Sequence, residues 1–167
     1  LTHGRELWKS DGTAVGTVMV TDIRAGSDSS NPDLLSNVNG VLYFVASNQA
    51  SGSELWKSDG TASGTVLVRD INPGATGSYP RNLTSVGNTL FFTTLDGGPL
   101  GNELWKSDGT TDGTVLIKDI RSGVGSSPTN LTVVGSSLFF TANDGTTGTE
   151  LWTSNGTDVG TQLVKDI

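Results

Sequence analysis

The chain has 167 residues, 10 Lys and Arg against 17 Asp and Glu, a formal net charge of −7 and no cysteine. That length suits a domain with its own core, while the acidic balance argues against nucleic-acid or anionic-membrane binding, which needs clustered Lys and Arg. No disulfide, Cys-based zinc site or thiol nucleophile is available, and the one histidine, His3, leaves no His-rich metal site and little room for Ser/His catalysis.

Read from the start, the chain opens on Glu-Leu-Trp-Lys-Ser-Asp-Gly-Thr from Glu6, followed by the apolar run GTVMVTDI. A Gly/Ser/Pro-containing loop leads to DLLSNV and then VLYFVAS, and a further loop brings ELWKSDGT again at Glu54, with GTVLVRDI behind it. The cycle repeats as NLTSVG, TLFFTTL, ELWKSDGT from Glu103 and GTVLIKDI, then as NLTVVG, SLFFTAN, ELWTSNGT from Glu150 and GTQLVKDI. Glu-Leu-Trp thus recurs at spacings of 48, 49 and 47 residues, a period that marks a repeat architecture. The first copy starts partway through a unit at Leu1, so the chain reads as a processed chain or a fragment of something longer. No run approaches the length of a membrane helix; the longest, Val41 to Ala46, is strand-sized.

Each unit holds four β-like segments bounded by turn signals. In the unit from residue 82 they are about 82–86, 89–94, 103–107 and 114–120. Leu90, Phe91 and Phe92 are consecutive and apolar, so both faces of that strand must be covered. Four antiparallel strands in about 48 residues, repeated, predict an all-β fold of the β-propeller type, built from four-stranded antiparallel blades. The chain then comprises a half blade (1–33) and three full blades (34–81, 82–129 and 130–167) in one repeat domain, 1–167. Fourteen strands make three and a half blades, and closing a ring calls for further chain or for other copies of the molecule. A linear stack of sheets is the competing architecture.

The repeated positions have physical roles. Trp8, Trp56, Trp105 and Trp152 are expected to pack between blades. Asp11, Asp59 and Asp108 are expected to cap the third hairpin through Asx turns, with Asn155 serving in the fourth copy and the following Gly supplying positive φ. If Ser58 lies opposite Thr65, Glu54 faces Arg69, Glu103 faces Lys118 and Glu150 faces Lys165 as exposed ion pairs; Thr21 breaks the pattern in the first copy.

The motif Glu-Leu-Trp-x-x-Asp-Gly-Thr, followed by Gly-Thr-x-Leu-Val-Lys-Asp-Ile, resembles the ELWxxDGT repeat family of bacterial proteins along essentially the whole chain, with Thr153 and Asn155 as departures. That resemblance implies a propeller-like fold and an exported or cell-surface setting; it carries no activity to particular residues. A positional likeness to the Asp-box hairpins of sialidase-type propellers concerns turn structure and implies no sialidase chemistry.

Catalysis finds little support. His3 reads as an incidental loop residue. Glu54, Asp59 and Asp70 recur in other copies, whereas an active site needs a unique geometry. Acidic turns suit Ca²⁺, which makes Asp96, Asp144 and Asp28 its candidate ligands, although tight-turn chemistry explains them equally well; no other cofactor is implied. Asn82, Asn130 and Asn155 match a glycosylation acceptor pattern and read as strand or turn residues.

Function in a ring of repeats belongs where the copies differ, on the rim that carries the second-to-third and fourth-to-first strand loops. These hold Arg24, Asn48, Gln49, Tyr79, Arg81, Arg121, Asp96, Asn143 and Asp144. Tyr79 beside Arg81 is the sharpest departure, since an aromatic flanked by polar groups grips sugar or peptide edges. The expected function is a non-catalytic extracellular or cell-surface binding module for a glycan or protein partner, without nucleic acid or membrane insertion. The alternatives are a self-assembling structural repeat protein and, behind it, a propeller-type glycoside hydrolase.

Overall fold

The computed structural model describes residues 2–95 and 98–167. Among them are fourteen strands in four antiparallel sheets. Sheet I pairs β1 (Leu7–Lys9) with β2 (Val18–Thr21). Sheet II runs in order through β3 (Asp33–Val38), β4 (Val41–Asn48), β5 (Gly52–Ser58) and β6 (Val66–Arg69). Sheet III is β7 (Pro80–Val86), β8 (Thr89–Thr94), β9 (Leu104–Ser107) and β10 (Val115–Lys118). Sheet IV is β11 (Thr129–Val134), β12 (Ser137–Asn143), β13 (Thr149–Ser154) and β14 (Gln162–Lys165). One turn of 3₁₀ helix, Gly98–Leu100, interrupts the β structure, and no described helix is long and apolar enough to cross a membrane.

Every sheet joins its strands in chain order, because each strand is three to eight residues long and ends in a turn or loop. The third hairpin shows the turn chemistry most clearly. Asp59 Oδ1 accepts the Thr61 N–H and Thr61 hydroxyl, the Thr61 hydroxyl oxygen accepts the Gly64 N–H, and the Ser58 and Thr65 hydroxyls bond at 2.7 Å. Gly60 takes φ +87°, and any side chain on Gly64 would collide with the Asp59 carboxylate. Asn155 makes the same pair of bonds to Thr157 in the last copy, because an amide oxygen accepts as a carboxylate does.

Neighbouring sheets bury each other face to face. Between sheets II and III, Val38, Tyr43, Leu55 and Val68 meet Leu90, Phe92 and Trp105. Between sheets III and IV, Phe91, Leu104 and Ile117 meet Leu138, Phe140 and Trp152. Between sheets I and II, Leu7 and Val20 meet Phe44, Ala46 and Trp56. The adjacent Leu and Trp of each Glu-Leu-Trp therefore point to opposite sides, Leu to the following sheet and Trp to the preceding one. At the closest approach β7 lies against both β3 and β11, so the first strands of successive sheets converge. Elsewhere long side chains cross between sheets: Lys9 and Lys106 reach the carbonyls of Gly60 and Gly156, and Arg69 reaches those of Thr111 and Thr114.

Two expectations are corrected. Trp56, Trp105 and Trp152 are buried, but Trp8 is 56 % exposed, since no described sheet covers that face of sheet I. Its counterpart is Leu151, 39 % exposed on the outer face of sheet IV although Leu7, Leu55 and Leu104 are buried. The Glu–cation ladder is also absent. Ser58 does meet Thr65, but a register shift between Leu55 and Trp56 places Arg69 opposite Leu55. Equivalent shifts put Lys118 opposite Leu104 and Lys165 opposite Leu151.

The indole N–H groups of Trp56, Trp105 and Trp152 have no hydrogen-bond partner among the described residues. Burying about 200 Å² of ring contributes about 5 kcal/mol at about 25 cal/mol/Å², more than the roughly 1–3 kcal/mol that an unpaired donor costs. Replacing Trp105 by Ala is expected to cost about 3–5 kcal/mol in urea unfolding, whereas Trp8→Ala costs less than about 1 kcal/mol. Asp59→Asn is expected to leave the melting temperature nearly unchanged, and Asp59→Ala to lower it, measured by differential scanning fluorimetry.

Candidate functional site

The loops that join one sheet to the next are held by the glutamate of each Glu-Leu-Trp. Glu54 is fully buried at the start of β5; its carboxylate accepts the N–H groups of Asn72 (3.2 Å) and Ser78 (2.8 Å) and the Ser78 hydroxyl. Glu103 does the same with Arg121 (3.2 Å), Ser126 (2.8 Å) and the Ser126 hydroxyl. Glu6 accepts from Ile23 (3.0 Å) and Ser30 (2.9 Å). One side chain thus ties both ends of a long connection and satisfies buried donors that no ladder reaches. Burial pushes the Glu54 carboxyl up to about 7, against the pull of the hydrogen bonds it accepts, and raises Glu103 for the same reason.

Each clasped serine opens a Ser-X-Pro triplet: Ser30-Asn31-Pro32, Ser78-Tyr79-Pro80 and Ser126-Ser127-Pro128. The serines are fully buried, and the middle residues all have positive φ, 48°, 49° and 51°. Asn accepts that conformation readily; Tyr does so at a cost of about 1 kcal/mol or more. The backbone leaves little choice. The Tyr79 N–H donates to the Ser53 carbonyl at 3.0 Å, and the Leu95 N–H donates to the carbonyls of Ser78 and Tyr79 at 3.1 Å. The positive φ throws the Tyr79 side chain outward. It is 38 % exposed, and its hydroxyl has no partner among the described residues.

Tyr79 and Arg81 do come together in a cleft of about 130 Å³ between sheets II and III, whose other wall includes Asn31, Asp33, Leu34 and Ser53. The cleft offers an aromatic face, a free phenol, a guanidinium and, across from them, a carboxylate and an amide. It has the size of a sugar edge or a single side chain and falls short of a pocket that engulfs a whole small molecule.

The other expected site residues among those described share this edge of the molecule but lie at separate sheet junctions. Arg24 shares a cleft with Asn48 and Gln49 between sheets I and II. Asn48 Oδ1 is engaged by the N–H groups of Ala50 and Ser51. Arg121 packs over Gly145, in the turn that also holds Asn143 and Asp144. Asn143 accepts the Gly145 N–H. Asp144 accepts the N–H groups of Thr146 and Thr147, which hold its carboxyl down to about 2. Asp28 pairs with Arg24 at 3.3 Å, and His3 meets Asp22 at 2.8 Å. Asp96 lies outside the described residues. Asp144 and Asp28 are thus occupied by neighbours, and the described residues hold no group of three or more metal-ligating side chains.

The glutamate clasp escaped the reading of the repeat, which assigned Glu54 and Glu103 to exposed pairs. A signal for it was present: a Ser-X-Pro triplet follows Glu6, Glu54 and Glu103 by 24, 24 and 23 residues. No protein-family model matches the chain, and no curated protein matches it.

A buried carboxyl with a raised pKa binds a proton that the unfolded chain has released, so its contribution is complete below the unfolded value of 4.5 and is lost as pH rises through about 7. The melting temperature is therefore expected to fall between about pH 4.5 and about pH 7 and to level off above that. Asp11, Asp59, Asp108 and Asp144 are shifted downward and act only at lower pH. Glu54→Gln should flatten this slope, and Glu54→Ala should lower stability by about 2–4 kcal/mol throughout, because it leaves the Asn72 and Ser78 donors buried and unpaired.

Proposed function

We propose that this chain is a non-catalytic binding module of the extracellular space or cell surface, with the Tyr79 cleft contacting a glycan or protein partner. The observation that carries this reading is the outward Tyr79 ring, held at a strained backbone position by a buried clasp and set among Arg81, Asp33 and Asn31. Aromatic residues with two χ angles contribute contact area at low entropic cost, and the surrounding donors and acceptors give orientation. The module needs no cofactor. A hydrolytic reading would require two carboxyls about 5–10 Å apart with separated pKa values, and among the described residues Asp33 is the single acid lining this cleft.

The reading goes with a β-propeller of four-stranded blades. Convergence of β3, β7 and β11 supports a fan of sheets around an axis over a parallel stack, and Lys9, Arg69 and Lys106 reach across from one sheet to the next. The resemblance to ELWxxDGT repeat proteins implies the extracytoplasmic setting. A second reading, assembly into a larger structure with further blades or copies, is favoured by a separate observation: Trp8 at one end, with Leu151 and Val164 at the other, is exposed where its counterparts are buried.

A glycan and peptide array probed with the labelled protein tests the first reading. Binding is expected to fall at least tenfold in Tyr79→Ala and in Arg81→Ala, with unfolding midpoints little changed. Retention of full binding by both variants would remove the cleft from consideration.

A further inference from the structure

The junctions between sheets are built from the same parts, yet the one between sheets III and IV departs from the repeat at four positions that lie together. At the strand ends opposite Tyr79, the turn between the first two strands of one sheet approaches the third hairpin of the next. Between sheets II and III that space is filled. The Asn39 amide donates to the Asn88 side-chain oxygen across the two turns. The Tyr43 hydroxyl reaches under Gly109, where any side chain on that glycine would strike it. Asp108 stands there as a carboxylate; the Thr110 hydroxyl and N–H hold it below its ordinary value, and the Lys57 ammonium adds to the effect.

Between sheets III and IV each of these parts is smaller or uncharged. Gly87 and Ser136 replace the bridging Asn39 and Asn88, Phe91 replaces Tyr43, and Asn155 replaces Asp108. All four line a cleft of about 360 Å³, together with Thr89 and Lys106, a volume within the range of small-molecule sites. Among the described residues Lys106 is the one charged group lining it, and no acid does so. The nearby Asp158 pairs with Lys118 at 2.8 Å. Lys106 donates one N–H to the Gly156 carbonyl at 2.7 Å; an ammonium has three, so two remain. Asn155 Oδ1 accepts from the Thr157 N–H and hydroxyl, which leaves its Nδ2 to donate where the other copies carry a carboxylate oxygen.

We propose that the cleft between sheets III and IV binds a singly charged sugar acid, such as a uronic acid unit, with its carboxylate on Lys106 and Asn155 and its hydroxyls against Thr89 and Ser136. Charge-assisted bonds from an ammonium and an amide suit one carboxylate. Val86 and Phe91 give an apolar floor for the C–H groups of the sugar ring. A dianionic phosphate would leave half of its charge unmatched beside a single ammonium, in a chain whose net charge is already −7. The inference stands apart from the Tyr79 cleft, which lies between sheets II and III at the other strand ends.

The test is an NMR titration of the full isotope-labelled chain with D-glucuronate at low salt. Saturable shifts are expected at the amides of Gly87, Lys106, Ser136 and Asn155. D-glucose, which lacks the charge, and N-acetyl-glutamate amide, which lacks the hydroxyls, should bind at least tenfold more weakly. Asn155→Asp restores the carboxylate of the other copies and should weaken glucuronate binding at least tenfold. Gly87→Asn with Ser136→Asn rebuilds the Asn39–Asn88 bridge, at a φ of +58° that Asn accepts, and should do the same. Both variants install residues that the fold already carries at equivalent positions, so their unfolding midpoints should be unchanged. Tyr79→Ala should leave glucuronate binding intact. The proposal is overturned by equal binding of glucose, by full affinity in Asn155→Asp, or by no saturable shift at hundred-millimolar glucuronate. Equal binding of the glutamate amide would make the cleft a site for acidic peptides, and loss of binding in Tyr79→Ala would place it in the other cleft; either result also overturns it.

Discussion

Each sheet in this chain is apolar on both faces, and no sheet can bury itself. Stability therefore rests on reciprocal cover: the Leu of one Glu-Leu-Trp is sealed by the following sheet, and the Trp of the next motif is sealed by the sheet before it. The stability of such an array resides in nearest-neighbour interfaces. The interfaces are made with near-identical residues three times over, so Trp56, Trp105 and Trp152 have closely similar burial. Polar groups then organise what burial has brought together. Asp-Gly-Thr turns close the hairpins, and Lys and Arg side chains bridge to neighbouring backbone carbonyls.

The strands and their sheet assignments were legible because Leu, Phe, Trp and Val recur with turn residues between them, and because Asp-Gly and Gly-Thr pairs mark hairpin ends. The Asx role of Asp11, Asp59, Asp108 and Asn155 was legible for the same reason, being local chemistry within six residues. What stayed hidden depended on a single extra residue per hairpin. The irregularity between Leu55 and Trp56 shifts the pairing by one position, which moves the cation on the opposite strand away from Glu54. Alternation alone gives no sign of a bulge. The partner that Glu54 finds, Ser78, lies 24 residues away on a connection without regular structure, where pattern reasoning has least purchase. That the second-to-third and fourth-to-first strand loops lie at one edge was legible from the alternation of strand direction. Their separation into junctions followed from the sheet-to-sheet spacing, which no property of the individual loops encodes.

The clasp and the cleft are linked. Holding the Ser78 backbone and hydroxyl with one carboxylate fixes the chain on either side of Tyr79, so that a residue with an unfavourable φ persists without help from its own side chain. Strain at an outward-facing position needs such outside support. The same arrangement couples the loop to acidity, because the carboxyl that holds it titrates near neutrality.

The middle position of Ser-X-Pro has a consequence for how this molecule diversifies. Asn31, Tyr79 and Ser127 share a backbone conformation yet have nothing else in common. The fold asks for a tolerated dihedral angle there and makes no demand on size, polarity or charge. Each repeat thus presents one socketed, outward-pointing residue whose identity is uncoupled from folding. A chain that duplicates this unit acquires a row of independently variable surface residues at fixed pitch, and can change that row one position at a time while its architecture stays untouched.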